Sequence, residues 1–254
     1  MRSIRNKMPR LGTKKLYYIL EEQLKVLKVG RDKLFRILRA NHMLIKPKRS
    51  YHITTDSHHR FRKHKNIVSA IEIERPEQVW VSDITYIGNR ANPSYLALIT
   101  DAYSKKIMGY NVSTSLNVNG SLQALEMALK NRGHKQEPLI HHSDRGLQYC
   151  SNEYQAILSQ NNIKASMTEK YDPYENAIAE RINGILKQEF FIAKYDSNIE
   201  IKQKLVQDAI ETYNYNRPHL SNHMLTPNKM HKQSSLKRKK YKSKKLKDAS
   251  ILKL

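Results

Sequence analysis

Three β-rich segments follow one another closely in the middle of the chain. β-Branched and aromatic residues dominate residues 78–87, 95–102 and 107–113, which predicts three strands. The links between them are short and contain turn-forming residues such as Asn92 and Pro93. Links of this length do not allow a crossover connection, so the strands are expected to form an antiparallel meander. This pattern restricts the possible folds more than any other feature of the sequence.

Helices and strands alternate after the meander. We predict a helix at 117–131, a strand at 138–142, a helix at 152–160, a strand at 163–167, a helix from about 174 to 189, and a long helix after residue 200. The order βββ-α-β-α-β-α is that of a ribonuclease-H-like α/β fold. In this fold, helices flank a mixed five-stranded sheet.

The net charge of +23 is distributed unevenly. Residues 1–65 contain 19 Lys and Arg against 4 acidic residues, and residues 229–254 contain 11 against 1. The intervening residues 66–228 contain 16 against 18. Basic flanks favour binding to a polyanion such as nucleic acid. Acidic residues that face a polyanion would repel it unless a cation intervenes, so the distribution hints at metal-dependent phosphoryl transfer.

Several classes of protein are disfavoured by composition. No apolar run approaches the roughly 18–20 residues of a membrane span, and the basic start leads into no apolar signal segment. We therefore expect a cytoplasmic protein with no membrane partner. The single cysteine, Cys150, excludes an internal disulfide and a multi-cysteine zinc site. No activating base lies near it in sequence, which favours a half-buried structural role over a catalytic thiol.

The N-terminal part is predicted to be a small helical domain. Apolar residues recur at helical spacing in two short segments separated by a glycine-containing turn. Thr13 and Asp32 are the predicted N-caps. The pair resembles a helix-turn-helix, although a plain helical hairpin with a solvated basic face is an alternative. In the first interpretation, the residues that contact DNA are Lys33, Arg36 and Arg39.

These patterns predict four parts of the chain. They are a helix-turn-helix-like segment at 1–45, a basic linker at 46–75, a core with a C-terminal helical extension at 76–230, and a basic tail at 231–254. The linker contains His52, His58, His59 and His64 but no cysteine pair that would complete a zinc site. The tail has few apolar anchors and is a candidate DNA-binding segment.

Three acidic residues differ in context from ordinary surface charges. Asp83 interrupts an apolar strand, where a carboxylate is costly unless it is paired or binds a metal. Asp144 follows a short strand and begins a turn, a position where functional side chains are commonly displayed. Glu180 lies in a helix whose apolar residues form one stripe. At about 100° per residue, the opposite stripe contains Glu180 with Asn176, Asn183 and Lys187, and we expect it to face a phosphate backbone.

Three such acids suit the chemistry of phosphodiester bonds. Attack by water or a 3′ hydroxyl requires an activated nucleophile and a stabilised leaving oxygen, and two Mg²⁺ ions about 4 Å apart do both. Mg²⁺ prefers oxygen ligands and usually retains some water. Asp83, Asp144 and Glu180 are therefore candidate catalytic residues and ligands of Mg²⁺ or Mn²⁺. This chemistry requires neither a nucleophilic residue nor a general base from the protein.

The same residues carry a family resemblance. The stretches 80–85 (WVSDIT), 142–149 (HSDRGLQY) and 176–184 (NAIAERING) resemble the three motifs of DDE transposases and retroviral-type integrases. The 35 residues between Asp144 and Glu180 are typical of that family. The N-terminal pair and residues 213–219 (YNYNRPH) resemble the second-reading-frame product of insertion sequences of the IS-three type. The resemblance covers roughly residues 10–230.

The resemblance implies a fold, an activity and partners. The fold would be the integrase catalytic core, and the activity would be DNA cleavage and strand transfer at the ends of an insertion sequence. By motif position, Asn183 and Lys187 would contact the DNA substrate. The family also implies homo-multimers on paired DNA ends, a partner protein encoded by an upstream reading frame, and a location at the bacterial nucleoid.

Two alternatives remain at this point. One is a non-catalytic DNA-binding protein, either a regulator or an inactive transposase remnant, although all three carboxylates are present. The other is a nuclease of the same fold that hydrolyses DNA without joining it. Asp101, at the end of the second predicted strand, is a further candidate carboxylate, but its local motif resembles a structural part of the family's fold. His219 and His223 lie four apart with no third ligand nearby, so a zinc site there is not expected.

Overall fold

The computed structural model describes residues 1–45, 63–88, 92–169, 176–194 and 197–237. Most of the predicted linker, with His52, His58 and His59, lies outside these ranges, as does the basic tail beyond residue 237. Within the described ranges, no helix combines the length and the apolar character that crossing a membrane requires.

In the part of the chain that the structure describes, five strands form one mixed sheet, as predicted. The strands β1 (Val79–Gly88), β2 (Pro93–Asp101), β3 (Ile107–Ser113), β4 (Leu139–Ser143) and β5 (Ile163–Met167) lie in the order β3-β2-β1-β4-β5. The first three pair antiparallel, which confirms the meander. β4 pairs parallel with β1, and β5 pairs parallel with β4. β1 is therefore the central strand, with a partner on each side.

Helices cover both faces of the sheet. On one face, α5 (Val118–Lys130), α6 (Leu147–Cys150) and α7 (Asn152–Gln160) share an apolar cluster with Trp80. On the other face, α8 (Ala177–Glu189) and α9 (Ile199–Asn216) share a second cluster. Successive side chains of a strand point to opposite faces. In β2, Ala97 and Ile99 accordingly belong to the first cluster, and Leu96 and Leu98 belong to the second.

Gly109 of β3 is the point of closest approach between the sheet and α5. A Cβ atom there would lie 2.1 Å from the backbone oxygen of Ala124 and 2.6 Å from the backbone nitrogen of Ala128. We expect Gly109→Ala to lower the free energy of unfolding by roughly 1–3 kcal/mol, because helix and strand must separate. Urea denaturation measures the change. Gly184→Ala in α8, where nothing lies within 4 Å of an added Cβ, is the control and should be neutral or slightly stabilising.

Four short helices form the N-terminal module, so the prediction of two helical segments there was wrong in number. They are α1 (Arg2–Lys7), α2 (Thr13–Ile19), α3 (Glu21–Val26) and α4 (Arg31–Ala40). Their buried leucines, among them Leu16, Leu34 and Leu38, form a separate apolar cluster. Phe190, which follows α8, packs against that cluster. The module is therefore anchored to the core at the end of α8.

The N-terminal helix boundaries correct the predicted caps. The N-cap of α2 is Gly12, with extended backbone (φ −66°, ψ 151°), so the prediction of Thr13 was wrong. Gly30 occupies the same position before α4 (φ −74°, ψ 170°), and Asp32 lies in the first turn instead of capping it. Residue preference predicts which types cap a helix, but the backbone conformation decides where the helix begins.

A buried polar network fastens the C-terminal helix to the sheet. The network joins α10 (Pro227–His231) through His231 Nε2 to Glu77 Oε1 at 3.2 Å, and through His231 Nδ1 to Ser104 Oγ at 3.0 Å. Asp101 accepts hydrogen bonds from Glu77 N and Ser104 Oγ. Burial would lower the pKa of His231, but its bonds to Asp101 and Glu77 raise it. The boundary predicted at residue 230 falls inside α10.

Candidate active site

Asp83 lies in the middle of the central strand. It is opposite Leu98 of β2, and β4 pairs with the preceding residues of β1 on the other edge. Its side chain is half-buried, and Oδ2 accepts a hydrogen bond from Asn183 Nδ2 at 2.7 Å. The predicted placement of an acid within a strand is confirmed. A position in the middle of a sheet holds the side chain more rigidly than a loop would.

Parallel pairing brings Asp144 towards Asp83. The β1–β4 register pairs Val81 with His142, so the residue two positions further along each strand is an aspartate. Asp144 begins the turn after β4, and its Oδ1 accepts a hydrogen bond from Gly146 N at 3.0 Å. The strand end therefore displays a carboxylate beside the central strand.

α8 supplies the third carboxylate. Glu180 lies in the first turn of this helix and is exposed. Its backbone N–H donates to the carbonyl oxygen of Asn176, the N-cap residue, at 3.2 Å. The positive end of the helix dipole favours an acid in this turn. α8 packs on β1 and β2. The backbone of Glu180 is therefore held in place against the sheet.

The electrostatics of Asp83 link the three acids. Burial and, after it, the charges of Asp144 and Glu180 raise the pKa of Asp83 to about 7, although the hydrogen bond from Asn183 lowers it. Burial and like charges both disfavour the ionised form. Asp144 and Glu180 are therefore both close enough to Asp83 to disfavour its charge.

Across the described ranges, no three His, Cys, Asp or Glu side chains are gathered into a ready metal-binding group. The donor chemistry nevertheless fits a divalent cation. Carboxylate oxygens are the ligands that Mg²⁺ prefers, and a bound cation would relieve the repulsion between the half-buried Asp83 and the other two carboxylates.

The polar stripe of α8 packs against β1. Asn176 Nδ2 donates to Ser82 O at 3.0 Å, Asn183 binds Asp83, and Lys187 Nζ donates to Thr85 Oγ1 at 3.2 Å. The two asparagines are only 7% and 4% exposed. The helical pattern predicted the stripe but not that these side chains turn towards the central strand. DNA contacts by Asn183 and Lys187 remain a prediction.

Buried hydrogen bonds support the strands beneath the carboxylates. His141 Nε2 bonds to Ser82 Oγ at 2.6 Å and to Tyr154 OH at 2.9 Å. Burial lowers the pKa of His141 to about 3, so the ring is neutral. His142 Nδ1 bonds to Ser166 Oγ at 2.9 Å. The sequence did not predict these partners because they lie on separate elements.

The other candidate residues have structural partners away from the carboxylates. Asp101 belongs to the network beneath α10. His219 bonds to Ser221 and His223 to Lys237 O. Cys150 is buried with its thiol 3.6 Å from the sulfur of Met167, and burial raises its pKa to about 11. A thiol with a raised pKa is a poor nucleophile at neutral pH.

The basic residues predicted to contact DNA lie on α4. Lys33, Arg36 and Arg39 are exposed. Arg36 and Arg39 line an open groove between α2 and α4 together with Lys14, Arg31, Asp32 and Phe35. Lys15 instead points to the core, where it forms an ion pair with Glu189. Neighbouring lysines of α2 therefore lie in different environments.

Comparison with known proteins identifies the family. Two models, each described as an integrase core domain, match residues 73–173 and 161–227. The chain is 35% identical over 210 residues to the "Insertion element IS600 uncharacterized 31 kDa protein" of Shigella sonnei, which covers 81% of this chain and 75% of that protein. It is 36% identical over 142 residues to the "Transposase InsF for insertion sequence IS3A" of Escherichia coli, covering 56% and 49% respectively.

A solved structure has the same fold. A chain of the simian T-cell lymphotropic virus intasome, in complex with PP2A regulatory subunit B56 gamma, superposes with a TM-score of 0.55 at 18% identity, covering 93% of this chain and 80% of that one. The matches to relatives named as transposases span about half the length of those proteins. The family matches include β1 to α9 and all three carboxylates. This chain belongs to the integrase-core family of insertion-sequence transposases.

Proposed function

We propose that this protein is a DDE transposase that cleaves and transfers DNA strands at the ends of an insertion sequence. The observation that carries the proposal is Asp83, a half-buried carboxylate in the central strand whose charge is disfavoured by Asp144 and Glu180. Such an arrangement costs folding free energy. Perturbed acids of this kind cluster at functional sites.

Asp83, Asp144 and Glu180 are the residues that would hold Mg²⁺ or Mn²⁺, with two ions expected. When bound, the cations would activate the attacking oxygen and stabilise the leaving oxygen. The protein contributes position: β1 and β4 carry the aspartates, and α8 carries Glu180. Asn183 orients Asp83 through its 2.7 Å hydrogen bond.

The remaining basic surfaces suit DNA. Lys33, Arg36 and Arg39 would bind the element ends through α4, and Lys187 with Asn183 would contact DNA near the carboxylates. The wider family assignment suggests a homo-multimer on paired ends, an upstream-frame partner protein and a nucleoid location in a bacterial cell. The division into a DNA-binding segment, linker, core and basic tail accords with these roles.

A non-catalytic DNA-binding role is less well supported. Such a protein would bind DNA through the N-terminal module and the tail. This role does not explain why the central strand contains Asp83, a carboxylate whose charged form is disfavoured. A nuclease of the same fold would use the same carboxylates, and only its products would differ.

The assay uses purified protein, duplex DNA carrying the inverted repeats that flank its gene, and a target plasmid. We expect joined products with Mg²⁺ or Mn²⁺, and at least a roughly thousandfold slower reaction in EDTA, because bound metals contribute several kcal/mol to such reactions. A duplex with scrambled ends is the DNA control. Nicked but unjoined DNA would assign hydrolysis instead, and metal-independent joining would overturn the proposal.

A further inference from the structure

Asn176 occupies the N-cap of α8 but does not cap it. Its side chain accepts no hydrogen bond from the first turn. The N-cap side chains of three other helices do: Ser151 accepts from Tyr154 N, Asn198 from Ile201 N and Thr226 from Lys229 N. Asparagine is among the best capping residues, so at this position its capping interaction is forgone.

The amide group of Asn176 is directed to the central strand instead. Its Nδ2 donates to Ser82 O at 3.0 Å, and the residue is 7% exposed. Its Oδ1 is buried and has no hydrogen-bond partner among the described residues. Leaving a buried polar atom unpaired is unfavourable. The Asn176 side chain therefore binds the residue that precedes Asp83, although it then neither caps α8 nor pairs its Oδ1 atom.

This contact joins the backbones that carry two of the carboxylates. Asn176 bonds to Ser82 through its side chain, and its carbonyl oxygen accepts from Glu180 N at 3.2 Å. Asn183 makes a second contact with β1, on the other side of Glu180 along the helix, through Asp83 Oδ2. Glu180 thus lies between two points at which α8 is fastened to the central strand.

We propose that Asn176 is a positioning residue that sets the placement of Glu180 relative to Asp83, and with it the affinity of the site for a divalent cation. The inference rests on the proposed function, in which these carboxylates share bound metal. It differs from a structural role, because loss of the Ser82 contact would weaken metal binding beyond any loss of stability. The amide is required for its reach to β1, not for its capping.

Asn198→Ala is the matched control, since Asn198 is an N-cap asparagine whose side chain does cap its helix. Mn²⁺ binding to the full chain is measured by titration without DNA, and stability by thermal unfolding in EDTA. We expect Asn176→Ala to weaken Mn²⁺ binding at least tenfold. Asn198→Ala should lower the unfolding temperature but change Mn²⁺ affinity less than twofold. The Mg²⁺ concentration for half-maximal joining should rise in parallel for Asn176→Ala alone.

Asn176→Ser keeps the test decisive if the alanine variant folds poorly. Serine caps helices well but is too short to span to Ser82 O, so this variant should be as stable as the wild type and still bind Mn²⁺ weakly. Wild-type Mn²⁺ affinity in Asn176→Ser would overturn the inference while leaving the proposed function intact. Absence of Mn²⁺ binding by the wild type, or binding unaffected by Glu180→Gln, would overturn both.

Discussion

Asp83→Asn is expected to stabilise the metal-free protein while abolishing DNA joining. In EDTA at pH 8, the free energy of unfolding should rise by roughly 2 kcal/mol, because each unit of pKa shift corresponds to about 1.4 kcal/mol and a half-buried group expresses only part of it. Joining should fall at least about a thousandfold, since a ligand of the proposed metals is lost. Asparagine retains an oxygen that can accept the hydrogen bond from Asn183.

The pH dependence of this gain follows from the direction of the shift. Burial, followed by the charges of Asp144 and Glu180, raises the pKa of Asp83 from 3.8 to about 7. Between these values, the folded protein binds a proton that the unfolded chain releases, so the wild type loses stability as pH rises from about 4 to about 7. The advantage of Asp83→Asn should therefore be largest above pH 7 and vanish near pH 4.

Glu180→Gln is the matched comparison. Glu180 is exposed, so its substitution should abolish joining and leave DNA binding intact, with much less stabilisation in EDTA. Chemical denaturation at pH 5 and pH 8, gel-shift binding and the joining assay separate the three quantities. Undiminished joining in either variant would remove the carboxylate assignment. A lower free energy of unfolding in Asp83→Asn would contradict the claim that the charge of Asp83 destabilises the metal-free protein.

Arg217→Ala is expected to lower the free energy of unfolding by about 3–5 kcal/mol. The Arg217 side chain is 1% exposed and makes two hydrogen bonds of 2.8 Å to the Glu189 carboxylate. Removing one partner of a buried pair is strongly destabilising, because Glu189 would keep only the longer ion pair with Lys15, at 3.6 Å. Burial would raise the pKa of Glu189, but the hydrogen bond and charge of Arg217, with Lys15, lower it.

The loss should also loosen the N-terminal module. Glu189 ends α8, Lys15 of α2 lies 3.6 Å from its carboxylate, and Arg10 N donates to its carbonyl oxygen at 3.3 Å. Hydrogen exchange in α2 should therefore accelerate in Arg217→Ala. Lys204→Ala removes an exposed ion pair with Asp208 and should change stability by less than about 1 kcal/mol. If Arg217→Ala also changed the free energy of unfolding by less than about 1 kcal/mol, the pair of Arg217 and Glu189 would not stabilise the fold as proposed.

Local patterns predicted much of the fold. β3, α7 and β5 have the predicted bounds, because alternation and helical spacing record which residues are buried along a single element. The meander followed from short links, and the order of the later elements supplied the rest of the sheet. Capping was less predictable: glycines at 12 and 30 begin α2 and α4 through backbone conformation alone.

The sequence by itself determined the strands and main helices of the core, their order and the choice of the three candidate acids, because periodicity and motif spacing are properties of neighbouring residues. Tertiary structure alone decided how those acids interact. The parallel insertion of β4 brings Asp144 beside Asp83, and the docking of α8 turns Asn176 and Asn183 inward. The network of Glu77 and His231 joins residues 154 positions apart. Contacts between residues so far apart in the sequence depend on how the faces of helices and strands pack together. The sequence of a single helix or strand does not specify that packing.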